Sequence, residues 1–223
     1  MLHETYLPFT EAQLREHFAT VASDARADPD RHLAYYLRAL DRLREHEPGE
    51  SAGDPRTVRR ARQIEKDERF WVVAALMGLF HGEGRQTAFA SLLDRAGLTA
   101  PGDLSDWGAA LEGDLALFFE VGLNSPRAYR EHLSQHLDDR APIPYVRKAA
   151  ARAKLRLEGA TQVDAMLIAP ARGVAVLFEA KVLSDCSATV TYDVLRNQLA
   201  RNIDVMLDRQ GSLPFPLDQR SRS

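Results

Sequence analysis

Cysteine is almost absent from this chain: Cys186 is the only one among 223 residues. That excludes an internal disulfide and a thiolate zinc cluster, and it leads us to expect a cytoplasmic protein. Lysine is nearly as scarce, with only Lys66, Lys148, Lys154 and Lys181 in a basic complement of 29 Lys+Arg. In so arginine-rich a chain each lysine is informative, because arginine would serve for solubility alone. No apolar run reaches the roughly eighteen residues of a membrane helix. The longest, FWVVAALMGLF at 70–80, reads as a buried helix, and no membrane partner is expected. The opening MLHETYLPFTEAQ has no basic-then-apolar signal architecture.

The rest of the composition is that of a globular protein, 45% hydrophobic and 27% charged. Its charge is uneven. Residues 1–140 carry 17 Lys+Arg against 24 Asp+Glu, whereas residues 141–223 carry 12 against 8. A basic final third suits a partner with phosphates, and an unevenly solvated surface explains it equally well.

Hydrophobic spacing predicts helices throughout residues 1–140. Thr10 is placed to cap a helix carrying Leu14, Phe18 and Val21, and Pro29 stands near the start of a second, which stops at Pro48-Gly49. A long helix is expected over 55–80, charged in its first half, with shorter ones at 84–96, 104–122 and 125–138. From about 142 the pattern changes to strands at 160–169 and 173–183 joined by PARG, then a helix at 191–211. That helix aligns Tyr192, Leu195, Leu199, Ile203 and Met206 on one face. The expected organisation is an all-α N-terminal domain, 1–140, and an α/β core, 141–223.

The two strands carry ionised groups on apolar runs. A turn centred between Ala171 and Arg172 sets Asp164 opposite Glu179, with Cβ atoms about 4.5–5.5 Å apart. Lys181, two residues on, shares their face, while Val163, Ala165 and Leu167 with Val174, Val176, Phe178, Ala180 and Val182 make an apolar opposite face. Adjacent carboxylates repel unless a cation lies between them. Two carboxylates, a carbonyl and waters suit Mg²⁺ or Mn²⁺. The ion would polarise a phosphate and acidify a bound water, and a neighbouring ammonium would orient that water. A compact charge on a flexible stem is a task for lysine rather than arginine. The plain alternative is a cross-strand ion pair on a solvated sheet edge.

Asp164, then FEAK (Phe178–Lys181) on the next strand, then a helix, resembles the PD-(D/E)XK nuclease superfamily, over about 80 residues. The resemblance implies a restriction-endonuclease-like core, a short mixed sheet flanked by helices. It implies Asp164 and Glu179 as metal ligands with the Ala180 carbonyl, and Lys181 as the residue assisting water. Gln198 in RNQLARN would join the catalytic set, supported by Asn197 and Arg201. An upstream acid would be Glu158 or Glu131. The proline usual before the first acid is Val163 here, and the fold's further strand after the helix has only SLPFPLDQRSRS (212–223) to draw on. The implied activity is Mg²⁺-dependent endonucleolytic hydrolysis, of DNA before RNA, in restriction, phage defence or repair, and a homodimer would suit cutting both strands. The other expectation is an inactive nuclease-fold protein that binds nucleic acid or a protein partner; a purely helical scaffold is the third.

Arg147, Lys148, Arg152 and Lys154, ahead of the strands, are candidates for nucleic-acid backbone contact, as is the stripe RTVRRARQIEK (56–66), although a solvated helix face explains the latter better. His132 and His136 have zinc-compatible i, i+4 spacing but no third ligand nearby. Cys186 has no base beside it, which argues against a nucleophile.

Overall fold

The computed structural model describes residues 9–21, 29–44, 67–136, 160–181 and 197–208. Glu158, Arg147, Lys148, Arg152, Lys154, Cys186, the 56–66 stripe and the 212–223 tail lie outside the described residues.

α1 (Glu11–Val21) starts at a reciprocal cap. Thr10 Oγ1 accepts from the Gln13 amide (3.2 Å), and Gln13 Oε1 accepts from the Thr10 amide (2.7 Å). Leu14 and Phe18 are buried, as their spacing predicts, and α2 (Pro29–Arg44), packed on α1, buries Tyr36, Ala39 and Leu40. α3 (Glu68–His81) is the apolar run, with Phe70, Val72, Val73, Ala74, Leu76 and Met77 buried. Residues 55–66 of the long helix that periodicity suggests lie outside the described residues. Asp67 has extended backbone and its carboxylate accepts from the Phe70 amide (3.3 Å), so the described helix begins at an N-cap. α4 (Arg85–Arg95) packs between α3 and α5 (Trp107–Ala110).

The expected helix over 104–122 is mostly something else. After the four residues of α5, Gly113 takes φ +93° and β1 (Ala116–Leu123) begins. In DLALFFEVGL the buried residues Leu115, Leu117, Phe119, Val121 and Leu123 recur every second position, a strand period laid over helix-forming residues. The region before residue 140 is therefore not all-α. α6 (Arg127–Gln135), β2 (Thr161–Ala169), β3 (Val174–Phe178) and α7 (Gln198–Leu207) complete the described elements.

The three strands form one sheet in the order β1-β2-β3, so the protein is mixed α/β. β2 and β3 are antiparallel, pairing Ala165 with Phe178, Leu167 with Val176 and Ala169 with Val174. This is the register that the turn position predicts. The connection is a 3₁₀ turn, Pro170–Arg172, closed by Gly173 at φ +65°, a conformation that glycine adopts without strain. Ala165, Leu167, Ala169, Val174 and Val176 join the core with Phe70, Met77, Phe89 and Leu117. Met166 and Ile168, on the other face, are buried too. Each fully buried Leu, Val, Phe or Met adds roughly 1.5–3 kcal/mol against the entropy of ordering.

Contacts divide the chain into two compact units, Met1–Glu120 with Asp164–Leu183, and Val121–Val163 with Ser184–Ser223. In the second unit α7 inverts expectation. Leu199, Ile203 and Met206 are exposed, whereas Arg201, Asn202 and Val205 are buried. Buried polarity accounts for part of this, since Thr161 Oγ1 donates to Asn202 Oδ1 at 2.9 Å.

Candidate active site

All the side chains of the predicted acid–acid–lysine set fall in the first unit, at the mouth of the β2–β3 hairpin. The ladder ends at Phe178, so the Glu179–Lys181 segment lies just beyond β3 instead of within a strand reaching 183. Just past the last pair, the Ala180 amide donates to Asp164 Oδ2 at 2.7 Å. Lys181 shares the side of Glu179, as two-residue spacing predicts: its Nζ donates to Glu179 Oε1 (2.7 Å) and to the Ala180 carbonyl (2.9 Å). Glu179 Oε2 is buried without a hydrogen-bond partner among the described residues.

Two acids that sequence reasoning did not find join them. Glu68, in the first turn of α3, brings Oε2 to 3.5 Å from Lys181 Nζ. Glu120, on β1, is 9% exposed and takes φ +55°, a left-handed conformation that a glutamate adopts only under strain. A lone acid in the strand-period run ALFFEVGL is the same signal that singles out Asp164, and it is lost when that run is taken for a helix. Glu68 offers less: an acid in a helix's first turn is ordinary.

Burial pushes the Glu120 carboxyl up to about 7; Arg69 opposes the rise, and repulsion from Asp164, Asp67 and Glu179 adds to it. Burial likewise raises Glu179, against the Lys181 hydrogen bond and with help from Asp164. For Lys181, burial works to lower the ammonium, but the Glu179 bond and the charges of Glu179, Glu68 and Asp164 outweigh it and hold it above the usual lysine range. Tyr36, 2% exposed, is pushed well above the ordinary tyrosine range by burial and by Glu120, so it stays a neutral phenol. Asp67, Glu68, Glu120, Asp164 and Glu179 thus face two cations, Lys181 and Arg69, whose Nη1 is 3.9 Å from Glu120 Oε2.

The donor set is all oxygen and carries more negative than positive charge, and a buried carboxylate oxygen of Glu179 has no partner among the described residues. These features fit a hard divalent cation. The described residues nevertheless hold no group of three or more His, Cys, Asp or Glu converging as a ready metal cage. Between Glu179 and the Ala180 carbonyl it is the Lys181 ammonium that bridges.

The other predicted residues among those described belong to the second unit. Asn197 is the N-cap of α7, its Oδ1 accepting from the Ala200 amide at 2.8 Å. Asparagine is favoured there, so it needs no role in a site. Gln198 Nε2 donates to the Gln162 carbonyl (3.3 Å), and Arg201 is buried in the second unit. Glu131 pairs with Arg127 one turn away on α6 (2.7 Å). His132 and His136 stack on the same helix, ring centroids 4.2 Å apart. Comparison with family models, with curated proteins and with solved structures finds no match.

Proposed function

We propose that the protein is a Mg²⁺- or Mn²⁺-dependent nuclease with a restriction-endonuclease-like core, hydrolysing phosphodiester bonds of nucleic acid, DNA before RNA. The observation that carries this reading is the hairpin register. It brings Asp164, Glu179 and Lys181 to one end of β2–β3, tied through the Ala180 backbone. Asp164, Glu179 and the Ala180 carbonyl would hold the ion, with Glu68 or Glu120 as candidates for the further acid beside Glu158 and Glu131. The ion would supply a polarised phosphate and an acidified water. Lys181 would leave the Ala180 carbonyl to the ion and keep a proton on Nζ for orienting the attacking water, and its neighbours favour that charged state. Glu120, with a carboxyl near 7, can hold or release a proton at neutral pH.

A second reading, a nuclease-fold protein that binds without cutting, draws support from Lys181 itself. Its ammonium already bonds one oxygen of Glu179 and the Ala180 carbonyl, as a permanent internal cation would. Isothermal titration with Mn²⁺ and a cleavage assay on plasmid and single-stranded DNA separate the two. The nuclease reading expects Mn²⁺ binding that Asp164→Asn and Glu179→Gln abolish, together with metal-dependent cutting. Binding of DNA without cleavage under any divalent ion would leave the second reading standing alone.

A further inference from the structure

Arg69 stands in the first turn of α3, beside Glu68, whose carboxylate approaches Lys181. Its guanidinium lies over the Tyr35 ring, 4.4 Å from the centroid, and the Tyr35 hydroxyl is anchored by donating to Asp67. Its nearest acid oxygens, Asp67 Oδ1 and Glu120 Oε2, are each 3.9 Å away, too long for hydrogen bonds. Among the described residues Arg69 therefore donates no hydrogen bond, although its charge is held in place and half of its side chain is exposed.

Lys181, the other cation coupled to these carboxylates, is committed to Glu179 and the Ala180 carbonyl. A polyanion approaching five carboxylates meets repulsion unless a cation with open donors stands beside them. A guanidinium stacked on a ring is a pre-oriented planar fork whose N–H groups match two phosphate oxygens. The stack also leaves its geometry set before the ligand arrives, which lowers the entropy lost on binding.

We propose that Arg69, shelved on Tyr35, is a phosphate-binding residue that takes two nonbridging oxygens of the substrate strand beside the carboxylates. This assignment rests on the nuclease reading and names the group that admits a polyanion to an acidic site. A purely structural Arg69 would instead brace Glu120 by charge alone, a task that lysine performs nearly as well.

The test uses the full chain and a fluorescein-labelled single-stranded DNA oligonucleotide, followed by anisotropy in EDTA and by cleavage in Mn²⁺. Arg69→Gln should weaken binding by about tenfold, reduce the salt slope by about one, and raise KM while kcat changes less than about threefold. Arg69→Lys should recover only part of the affinity. Tyr35→Leu, which removes the shelf and keeps the charge, should weaken binding by a smaller factor. Mn²⁺ affinity and melting temperature should stay near wild type in Arg69→Gln. Unchanged oligonucleotide binding in Arg69→Gln, full rescue by lysine, or parallel loss of Mn²⁺ binding would each overturn the assignment. A wild type that neither binds nor cuts nucleic acid sinks the nuclease reading and this inference together. A wild type that cuts, equalled by Arg69→Gln, sinks this inference alone.

Discussion

The amide of Ala180 donates to the carboxylate of Asp164 at 2.7 Å, so backbone takes over the cross-strand role where the β2–β3 ladder stops. One bond thereby fixes an acid on β2 against the segment that carries Glu179 and Lys181. Sheet register and site geometry are a single property here, and each outcome below follows from it or from the packing that supports it.

Removing the Lys181 charge should separate metal binding from chemistry. Lys181→Ala takes away the ammonium that bridges Glu179 and the Ala180 carbonyl. We expect Mn²⁺ affinity equal to or above wild type, with the cleavage rate lower by roughly 10²-fold or more. Calorimetry and a single-turnover assay on one preparation check both. Weaker Mn²⁺ binding in this variant would argue that the lysine organises the acids instead of competing for their place.

Glu120 should make the metal-free protein less stable as pH rises. Its carboxyl is raised from 4.5 to about 7, so between those values the folded state binds the proton more tightly than the unfolded chain does. The stabilisation is complete below about 4.5 and is lost as pH climbs through 7. Glu120→Gln, a fixed neutral analogue, should therefore match wild type near pH 4.5 and exceed it by up to roughly 2–3 kcal/mol at pH 8. Urea melts in EDTA at the two pH values provide the measurement, and an equal offset at both would refute the account.

His17 works in the opposite direction. It is 3% exposed among Phe18, Phe80, Phe119 and His81, and it bonds to the Leu117 backbone. Burial, then the His81 charge, lower it from 6.5 to about 4, so the folded state holds it neutral. Its contribution is intact above 6.5 and disappears as pH falls toward 4, by an amount of up to roughly 3 kcal/mol. His17→Leu should start from lower stability, having lost the Leu117 bond, and should flatten the acid limb of the profile. An acid limb as steep as that of wild type would place its origin elsewhere.

The Thr161–Asn202 hydrogen bond should contribute to the second unit's stability. Both residues are buried, and Thr161→Val leaves Asn202 Oδ1 without that donor. The expected loss is about 1–3 kcal/mol. Adding Asn202→Leu should cost less than the sum of the two single changes, because the stranded amide is then gone. Additive effects in the cycle would mean the pair is not coupled.

What the sequence disclosed followed the range of the interactions involved. The β2–β3 register was legible because period-2 alternation and the PARG turn are local, and together they fix the alignment that places Asp164 beside Ala180. Helices α1 and α2 were legible from Thr10, Pro29 and their spacing. β1 was hidden because Ala, Leu and Glu favour helix, and tertiary burial of Leu117 and Phe119 overrode that propensity. Asn197 drew attention as a poor helix former when it is a helix cap. Glu68, Arg69 and Tyr35 meet the hairpin acids or one another across long stretches of chain, and no spacing rule brings them together. Only folding does.

The left-handed backbone at Glu120 has a further consequence. Glycine would relieve roughly 1 kcal/mol or more of strain at that position, and asparagine part of it. A library sorted for heat resistance alone should therefore drift toward those two residues there, trading the acid for an easier bend. Whether survivors of such sorting still respond to Mn²⁺ would reveal how far this protein sacrifices robustness to keep one carboxylate where it is.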